Sequence, residues 1–426
     1  NDVNVGGDAS ITAGAKLTTQ NVTTGGNTTL NAGTQLTAHD VSVGGDLNAK
    51  AQNITVTSVT GKGNAVLTAD KDVTLAGAFS AKNNARLTAG QNAKLGGKTD
   101  VGETLTAHIG KDLVTNGAVT TGKELIANVG NDLAMNDLVS TGGNASLTVG
   151  RNVTLDGALT TGGNFTANVA HDLTANDAVT TGADFAAIVG NNAVTNGIVT
   201  TSGALKWNVG NDLTTNAAVL SHGRATIDAQ NVNLNADLMS DKNLAITAKN
   251  NIITKEGANL STKADGTLKA RTVGFDGDVH ADGTLTIETD EQLAAKNITA
   301  GGDAVLTPGT DITVNDVTVG GNLNAKAVNI TAQNISAGGN TTLNAETALT
   351  AQNISAGSDL NAEAVNITAE NITAGGKATL NAGTDLFAND VNVGGDASMT
   401  AGAKLTAHDV RVGGDLNAKA QNITVT

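Results

Sequence analysis

Six histidines are the residues of this 426-residue sequence best suited to metal binding or proton transfer. Two of them, His39 and His408, occupy the same repeated Ala-His-Asp sequence. The other four lie in different sequence contexts, many residues apart, at His108, His171, His222 and His280. A zinc site needs three or four converging ligands, and no third or fourth ligand is evident beside any histidine. We therefore predict solvated histidines, with no catalytic, zinc or cofactor site.

Acidic and amide side chains recur with a period of about 20 residues in the middle of the chain, which is a pattern that could bind a hard cation. The position is shared by Asp112, Asp132, Asn152, Asp172, Asn192 and Asp212. Oxygen ligands on neighbouring turns of a repeat could hold Ca²⁺, although the Gly-Gly-x-Gly-x-Asp calcium repeat is absent. Two interpretations stay open: a solvated acidic edge, or calcium ligands at Asp112, Asp132, Asp172 and Asp212.

Aromatic residues are too few to form a sugar-binding surface. The sequence has no Tyr, one Trp and five Phe. Enzymes that degrade polysaccharides also set several Asp or Arg residues in one groove, and no such set is evident. Phe165, Phe185 and Trp207 fall at positions that recur as apolar, so we predict that they fill the core. The chain is predicted not to be an enzyme.

The charge of the chain excludes polyanion-binding functions. The formal net charge is −15 with a sequence pI of about 4.7, and the basic residues are scattered without a run. Nucleic acid, heparin-like polymers and anionic lipid are therefore poor partners. No apolar run is as long as the roughly 18 residues of a membrane-spanning helix, and the absence of Cys excludes disulfides.

Glycine pairs recur with a period of about 19 residues through much of the chain. They begin at Gly6, Gly25, Gly44, Gly301, Gly320, Gly338, Gly375, Gly394 and Gly413, and Gly357-Ser358 fills one gap. A fixed period indicates a repeat architecture, in which each unit buries its apolar face against its neighbours.

Between about 104 and 223 the period becomes strictly constant, and apolar residues form columns. The columns are Leu105, Leu125, Ala145, Phe165, Phe185 and Leu205; Ile109, Val129, Val149, Val169, Val189 and Val209; Leu113, Leu133, Val153, Leu173, Ala193 and Leu213; and Val119, Val139, Leu159, Val179, Val199 and Val219. Apolar and polar residues alternate within each unit, which indicates short strands with one buried face.

Three such strands in each unit, separated by Gly, Asn or Asp, predict one coil with three sides. We expect the corner residues to adopt the left-handed backbone conformation that these residue types tolerate. The fold class is then all-β: a right-handed parallel β-helix, or three-sided β-solenoid, of about 22 coils of about 18–20 residues. At ~4.8 Å between strands the coils would form a rod of roughly 100 Å.

One corner position is occupied almost entirely by asparagine. It contains Asn116, Asn136, Asp156, Asn176, Asn196 and Asn216. Stacked amides can donate to one another from coil to coil, so we predict an asparagine ladder along this corner.

Changes in period divide the chain into four segments. Residues 1–103 carry coils of mostly about 19 residues, and residues 104–223 carry coils of a constant length of about 20 residues. Residues 301–426 carry coils of about 18–19 residues. Residues 224–300 are irregular and more charged, and we expect a change of register there. This segment is either a junction between two arrays or a bulged surface displayed to a partner.

Several repeats resemble those of the filamentous haemagglutinin family, the large exoproteins of bacterial two-partner secretion. The similarity is carried by units such as Val41-Ser42-Val43-Gly44-Gly45-Asp46-Leu47-Asn48-Ala49 and Asn340-Thr341-Thr342-Leu343-Asn344-Ala345, and it covers nearly the whole chain. The resemblance implies the β-helical shaft of an adhesin or of a contact-dependent inhibition protein, secreted or on the bacterial cell surface. It also implies an outer-membrane transporter as partner, acting through a secretion domain that this sequence does not contain.

The resemblance leaves more than one role open for the repeats. The first is a passive shaft that projects an adhesive or toxic module. The second is direct adhesion, in which the lateral face of the rod binds a receptor on a host or bacterial surface. The third is end-to-end self-association into filaments, because the two ends of the chain repeat each other: Leu36 to Thr57 recurs as Leu405 to Thr426 with one change, and neither end has the sequence of a cap.

Overall fold

A computed structural model describes residues 2–426, and this part of the chain consists of strands, turns and bends without any helix. It contains 51 strands. Strands pair in parallel with the equivalent strand one coil further along the chain, as Val119–Thr121 does with Val139–Thr141. The predicted parallel β-solenoid of about 22 turns is thereby confirmed. No helix in residues 2–426 is long and apolar enough to cross a membrane.

The coils form two compact units, one ending at Gly223 and the other beginning at Arg224. A coil has three faces in chain order, which we name the first, second and third face. The first corner joins the first and second faces, the second corner joins the second and third faces, and the third corner leads to the next coil. Each unit contains eleven first-face strands, which at ~4.8 Å per coil corresponds to roughly 50 Å of stacked strands.

In the first unit most coils have three separate strands. The first-face strands are Ala9–Ala13, Thr28–Ala32, Leu47–Ala51, Ala65–Ala69, Ala85–Ala89, Leu105–Ile109, Leu125–Val129, Ala145–Val149, Phe165–Val169, Phe185–Val189 and Leu205–Val209. The second-face strands are Lys16–Thr18, Val73–Leu75, Ala93–Leu95, Leu113–Thr115, Leu133–Met135, Val153–Leu155, Leu173–Ala175, Ala193–Thr195 and Asp212–Thr215. The third-face strands are Val3–Val5, Asn21–Thr24, Phe79–Ala81, Thr99–Val101, Val119–Thr121, Val139–Thr141, Leu159–Thr161, Val179–Thr181, Val199–Thr201 and Val219–Ser221. Two strands continue through the second corner, Gln35–Val43 and Asn53–Gly61.

In the second unit many strands continue through corners. Four cover all three faces: Leu323–Ala337, Thr341–Ala356, Leu360–Ala374 and Ala378–Val393. Two cover the first and second faces, Ala225–Leu234 and Leu244–Thr254, and three cover the second and third, Thr272–Ala281, Leu293–Ala300 and Asp311–Val319. The remaining strands are Leu238–Ser240, Leu260–Thr262, Gly266–Ala270, Leu285–Thr289, Ala304–Pro308, Ala397–Ala401, Lys404–Ala407, Val410–Val412, Leu416–Lys419 and Asn422–Val425.

The core of the first unit is built from the four apolar columns, and all of their residues are buried. Within one strand the burial alternates: Phe165, Ala167 and Val169 point inward, whereas Thr166 and Asn168 are exposed. Burial of one Val or Leu side chain contributes about 1.5–3 kcal/mol. Because each side chain packs mainly on the equivalent side chains one coil away, stability accumulates coil by coil.

Threonine also points inward at the end of the third face, which the sequence analysis did not anticipate. Thr121, Thr141, Thr161, Thr181 and Thr201 are all buried. The hydroxyl groups of Thr141 and Thr161 each donate to a carbonyl oxygen two residues ahead, at 2.9 Å. A buried hydroxyl costs little when it is hydrogen-bonded, whereas the hydroxyl of Thr121 is buried without a partner among residues 2–426. The threonine column closes the core at the third corner.

The prediction of left-handed corners is wrong. Among residues 2–426 only Gly257 (φ 80°) and Asp409 (φ 48°) have a positive φ. Glycine is favoured at the corners because the backbones approach closely: a Cβ added to Gly150 would lie 1.9 Å from the carbonyl oxygen of Gly130. Ala170 takes the equivalent position in the next coil. The corner glycines thus permit tight stacking of successive coils, and the chain turns in ordinary backbone conformations.

The irregular segment from 224 to 300 remains part of the solenoid. One coil is longer than its neighbours, since Leu238 pairs with Leu260 and the N–H of Asn259 donates to Asp237, 22 residues before it. The extra residues form a turn around Gly257. The register also shifts between Phe275 and Asp278, where two residues face one residue of the next coil. Such bulges change the direction of side chains locally.

Candidate functional site

The candidate calcium ligands lie at the first corner, where they bind the backbone of the next coil. Oδ1 of Asp112 accepts a hydrogen bond from the N–H of Asp132 at 3.2 Å, and Oδ1 of Asp132 accepts one from the N–H of Asn152 at 3.1 Å. Asp172 does the same for the N–H of Asn192 at 3.0 Å. These oxygens accept hydrogen bonds from backbone N–H groups at the corner, which have no partner in the parallel strand pairing.

Further contacts engage the same carboxylates. The guanidinium of Arg151 lies 3.5 Å from Oδ2 of Asp132, and the amide of Asn191 donates to Asp172 at 2.8 Å. No cluster of three or more His, Cys, Asp or Glu side chains in residues 2–426 is arranged to hold a metal ion. Calcium binding at Asp112, Asp132, Asp172 and Asp212 stays a prediction, as does the alternative of a solvated acidic edge; the carboxylates of Asp112, Asp132 and Asp172 accept hydrogen bonds from the next coil.

Calorimetry with millimolar Ca²⁺ tests these two alternatives. We expect no saturable heat and no rise in melting temperature, because the carboxylate oxygens already accept backbone hydrogen bonds and lack convergent ligands. A saturable heat that disappears in the Asp132→Asn, Asp172→Asn double variant would instead establish a calcium site.

The predicted asparagine ladder is confirmed at the second corner. The side-chain amide of Asn136 donates to Asn116 at 2.9 Å, and those of Asn196 and Asn216 donate to the preceding coil at 2.7 Å each. Asp156 accepts from Asn176 at 2.6 Å. A carboxylate has no hydrogen to donate, so Asp156 ends one run of the ladder and begins the next.

Removing one member of this ladder tests its contribution. Asn196→Ala deletes the hydrogen bonds to Asn176 and from Asn216, so we expect the free energy of unfolding to fall by about 1–2 kcal/mol. The urea midpoint followed by circular dichroism measures this change. Asn168→Ala is the matched control, because Asn168 is exposed on the first face outside the ladder. An equal loss in both variants would contradict a specific role for the ladder.

A second column of Asp and Asn residues at the third corner was missed by the sequence analysis. Its members in the first unit accept a backbone N–H from the next coil: Asp8, Asn27, Asp46, Asn64, Asn84, Asn144, Asn164 and Asp184. The second unit repeats the arrangement at Asp265, Asp303, Asn322, Asn340, Asp359 and Asp396. The signal was present as Asp or Asn directly after many of the glycine pairs.

This column also explains many of the second glycines of the pairs. A Cβ added to Gly26 would lie 2.1 Å from Oδ1 of Asp8, and one added to Gly321 would lie 2.3 Å from Oδ1 of Asp303. The carboxylate of one coil therefore occupies the space that a side chain on the next coil would need. The Asp or Asn of one coil and the glycine that stacks on it in the next coil therefore act together as one structural motif.

Hydrogen bonds from neighbouring coils lower the pKa of two exposed carboxyl groups. For Asp396 the main cause is the N–H of Asp415, followed by Lys377, whose ammonium lies 3.3 Å from it. For Asp40 the main cause is the hydroxyl of Ser58, followed by His39. Because the folded-state pKa is lowered, the stabilisation is present above the unfolded pKa of about 4 and is lost as the pH falls through the folded value.

The histidines do not converge on one site. His39 contacts Asp40 at 2.9 Å, His280 contacts Asp282 at 2.7 Å, and His108 contacts Asn128 at 3.2 Å. Each of these contacts is local or reaches only the next coil, and the side chains of His39 and His280 are largely exposed. Their arrangement offers surface ion pairs and hydrogen bonds but no shared acid–base centre.

The predicted inward aromatic residues are confirmed as core residues. Phe165, Phe185 and Trp207 are at most 2% exposed. The ring centroids of Phe165 and Phe185 are 5.3 Å apart, and those of Phe185 and Trp207 are 4.7 Å apart. Tilted rings at such distances attract one another beyond simple burial. These side chains fill the interior, where a ligand cannot reach them.

Comparison with models of known protein families, with curated proteins and with solved structures finds no match for this chain.

Proposed function

We propose that this chain is a length of structural shaft from a secreted or cell-surface bacterial exoprotein of the filamentous haemagglutinin type. In this proposal the coils act as a spacer that projects an adhesive or toxic module carried elsewhere in the protein. The module, and the region through which an outer-membrane transporter would export the protein, lie outside these repeats. The repeats themselves perform no catalysis.

One observation supports the proposal above all: the coils are held by contacts that repeat from each coil to the next. The buried columns, the asparagine ladder and the third-corner column all connect neighbouring coils at the same positions. An architecture of this kind can be lengthened or shortened by whole coils without loss of the local contacts. A spacer needs a length that increases in proportion to the number of its coils.

The proposal is tested by changing the length of the first unit. Deleting residues 125–164 removes two coils and joins Glu124 to Phe165, which occupies the same position as Leu125. The chain has no Cys, so the cysteines introduced by Lys50→Cys and Lys206→Cys would carry the only thiols that a fluorescent label can modify. The labels lie eight coils apart, or about 40 Å, and we expect the deletion to shorten their distance by about 10 Å.

Energy transfer between the two labels measures that distance. Duplication of residues 125–164 is the matched control and should lengthen the distance by the same amount. An unchanged distance in both variants, with the strand content retained, would contradict a spacer whose length follows the number of coils.

Direct adhesion through the lateral face is the second candidate, and exposed apolar side chains of the first unit favour it. Ile188 is 53% exposed on the first face, and Leu138 and Ile198 are 41% and 49% exposed near the second corner. In this case the purified chain should bind saturably to cells that carry the receptor. Ile188→Asn and Ile198→Asn together should then abolish the binding, whereas a pure shaft binds no cells in either form.

A further inference from the structure

A cleft lies beside the register shift in the second unit. The cleft has a volume of about 440 Å³ and lies at the second corner. It spans four coils, because its lining includes Glu256, Asp276, Lys296 and Asn315 from successive coils. A volume above about 300 Å³ is sufficient for a small organic ligand.

Small side chains form the floor of this cleft. Gly274 pairs with Ala294 on the outward side of the second face, where the preceding coil carries Ile253 and the following coil carries Thr313. The inward position beside them holds Ala295 between Phe275 and Val314. Phe275 and Val314 are buried, yet Ala295 is partly exposed, so the cleft reaches down to the apolar core.

Charged side chains form the rim of the cleft and lack ion-pair partners in the part of the chain that the structure describes. Glu256, Asp276 and Lys296 are exposed, and none of the three forms an ion pair with any residue from 2 to 426. Two pairs of charged residues on neighbouring coils do form ion pairs: Lys269 lies 2.6 Å from Glu288, and Arg271 lies 3.4 Å from Glu291. The rim therefore offers two carboxylates and one ammonium to a ligand.

We propose that this cleft binds a free diamino acid, a molecule with two ammonium groups and one carboxylate joined by methylene groups. The two ammonium groups complement Glu256 and Asp276, and the carboxylate complements Lys296. The methylene chain covers the apolar floor of Gly274, Ala294 and Ala295. Opposite charges at such a partly enclosed site attract more strongly than on an open surface.

Calorimetry with three probes of equal length tests this proposal. L-lysine carries all three charged groups, norleucine lacks the side-chain ammonium, and 1,5-diaminopentane lacks the carboxylate. We expect lysine to bind with a Kd of about 1 mM or lower and each of the other probes to bind about tenfold more weakly. Diaminopentane is the decisive comparison, because general attraction to this acidic chain would favour it over lysine.

Variants of the rim and floor identify the site. Lys296→Gln should remove the preference for lysine over diaminopentane, and Asp276→Asn should reduce the preference for lysine over norleucine. Gly274→Leu should abolish binding by filling the cleft; a Cβ at Gly274 meets no atom within 4 Å, so the fold tolerates it. Thr350→Leu, on the same face three coils beyond Ala294, is the control and should leave binding unchanged.

Two results would overturn the proposal. The first is the absence of heat with lysine at about 10 mM, a concentration well above the expected Kd. The second is lysine binding that survives Gly274→Leu in a chain with unchanged circular dichroism. Neither result would affect the spacer function, which depends on the length of the first unit and not on this cleft.

Discussion

Val169→Asp is expected to lower the free energy of unfolding by several kcal/mol, the largest effect of any single substitution considered for this chain. Val169 is 1% exposed and stacks between Val149 and Val189 of the neighbouring coils. A carboxylate at this position would lose its hydration with no basic side chain in the apolar column to compensate. The urea midpoint followed by circular dichroism measures the loss.

The pH dependence of this variant gives a second signature. Burial raises the pKa of a carboxyl group, so the folded state would hold its proton to a higher pH than the unfolded state. The destabilisation should therefore be largest at neutral pH and should shrink below about pH 4, where both states are protonated. Asn168→Asp is the control, because Asn168 is exposed on the same strand. Equal stability of the two variants would show that the column is not buried.

Gly150→Ala is expected to have the second-largest effect, with a loss of about 1–3 kcal/mol. The new methyl group would lie 1.9 Å from the carbonyl oxygen of Gly130, far inside contact distance. Relief of this clash requires the backbone at this corner to shift, which weakens the 2.9 Å hydrogen bond from the N–H of Gly150 to Val129. Thermal unfolding compares the variant with the unmodified chain.

Gly14→Ala is the matched control for this substitution. Gly14 lies at the same corner of the first complete coil, and a Cβ there meets no atom within 4 Å. Alanine also restricts the unfolded chain more than glycine does, so this variant should be neutral or slightly stabilised. If Gly14→Ala and Gly150→Ala were equally destabilised, backbone conformation and not close stacking would explain the glycines.

Periodicity alone was sufficient to predict the solenoid and most of its core. Residues such as Val169 and Leu173 recur at a constant spacing, and side chains one period apart stack directly because the strands are parallel and in register. The inward direction of Phe165 and the ladder through Asn196 follow from the same rule. Each of these predictions needed only the repeat length and the two-residue alternation of a strand.

Contacts between different columns could not be predicted in this way. The sequence shows that Asp8 and Gly26 recur, but it does not show that the carboxylate of one fills the space above the other. The role of the corner glycines was misjudged for the same reason, since backbone conformation and close approach both select glycine. The buried threonines were overlooked because a hydroxyl can be either solvated or bonded to a carbonyl inside the corner.

The sequence by itself determined how many coils this chain forms and which side chains each coil buries. Both depend on the repeat length, which is visible in the spacing of the apolar residues and glycines. Only the tertiary structure decided how the corners are closed and where the regular stacking fails. The cleft above Gly274 lies where a longer coil and a one-residue register shift place small and charged residues from four coils side by side. That arrangement depends on distances between coils, which a list of residues does not contain.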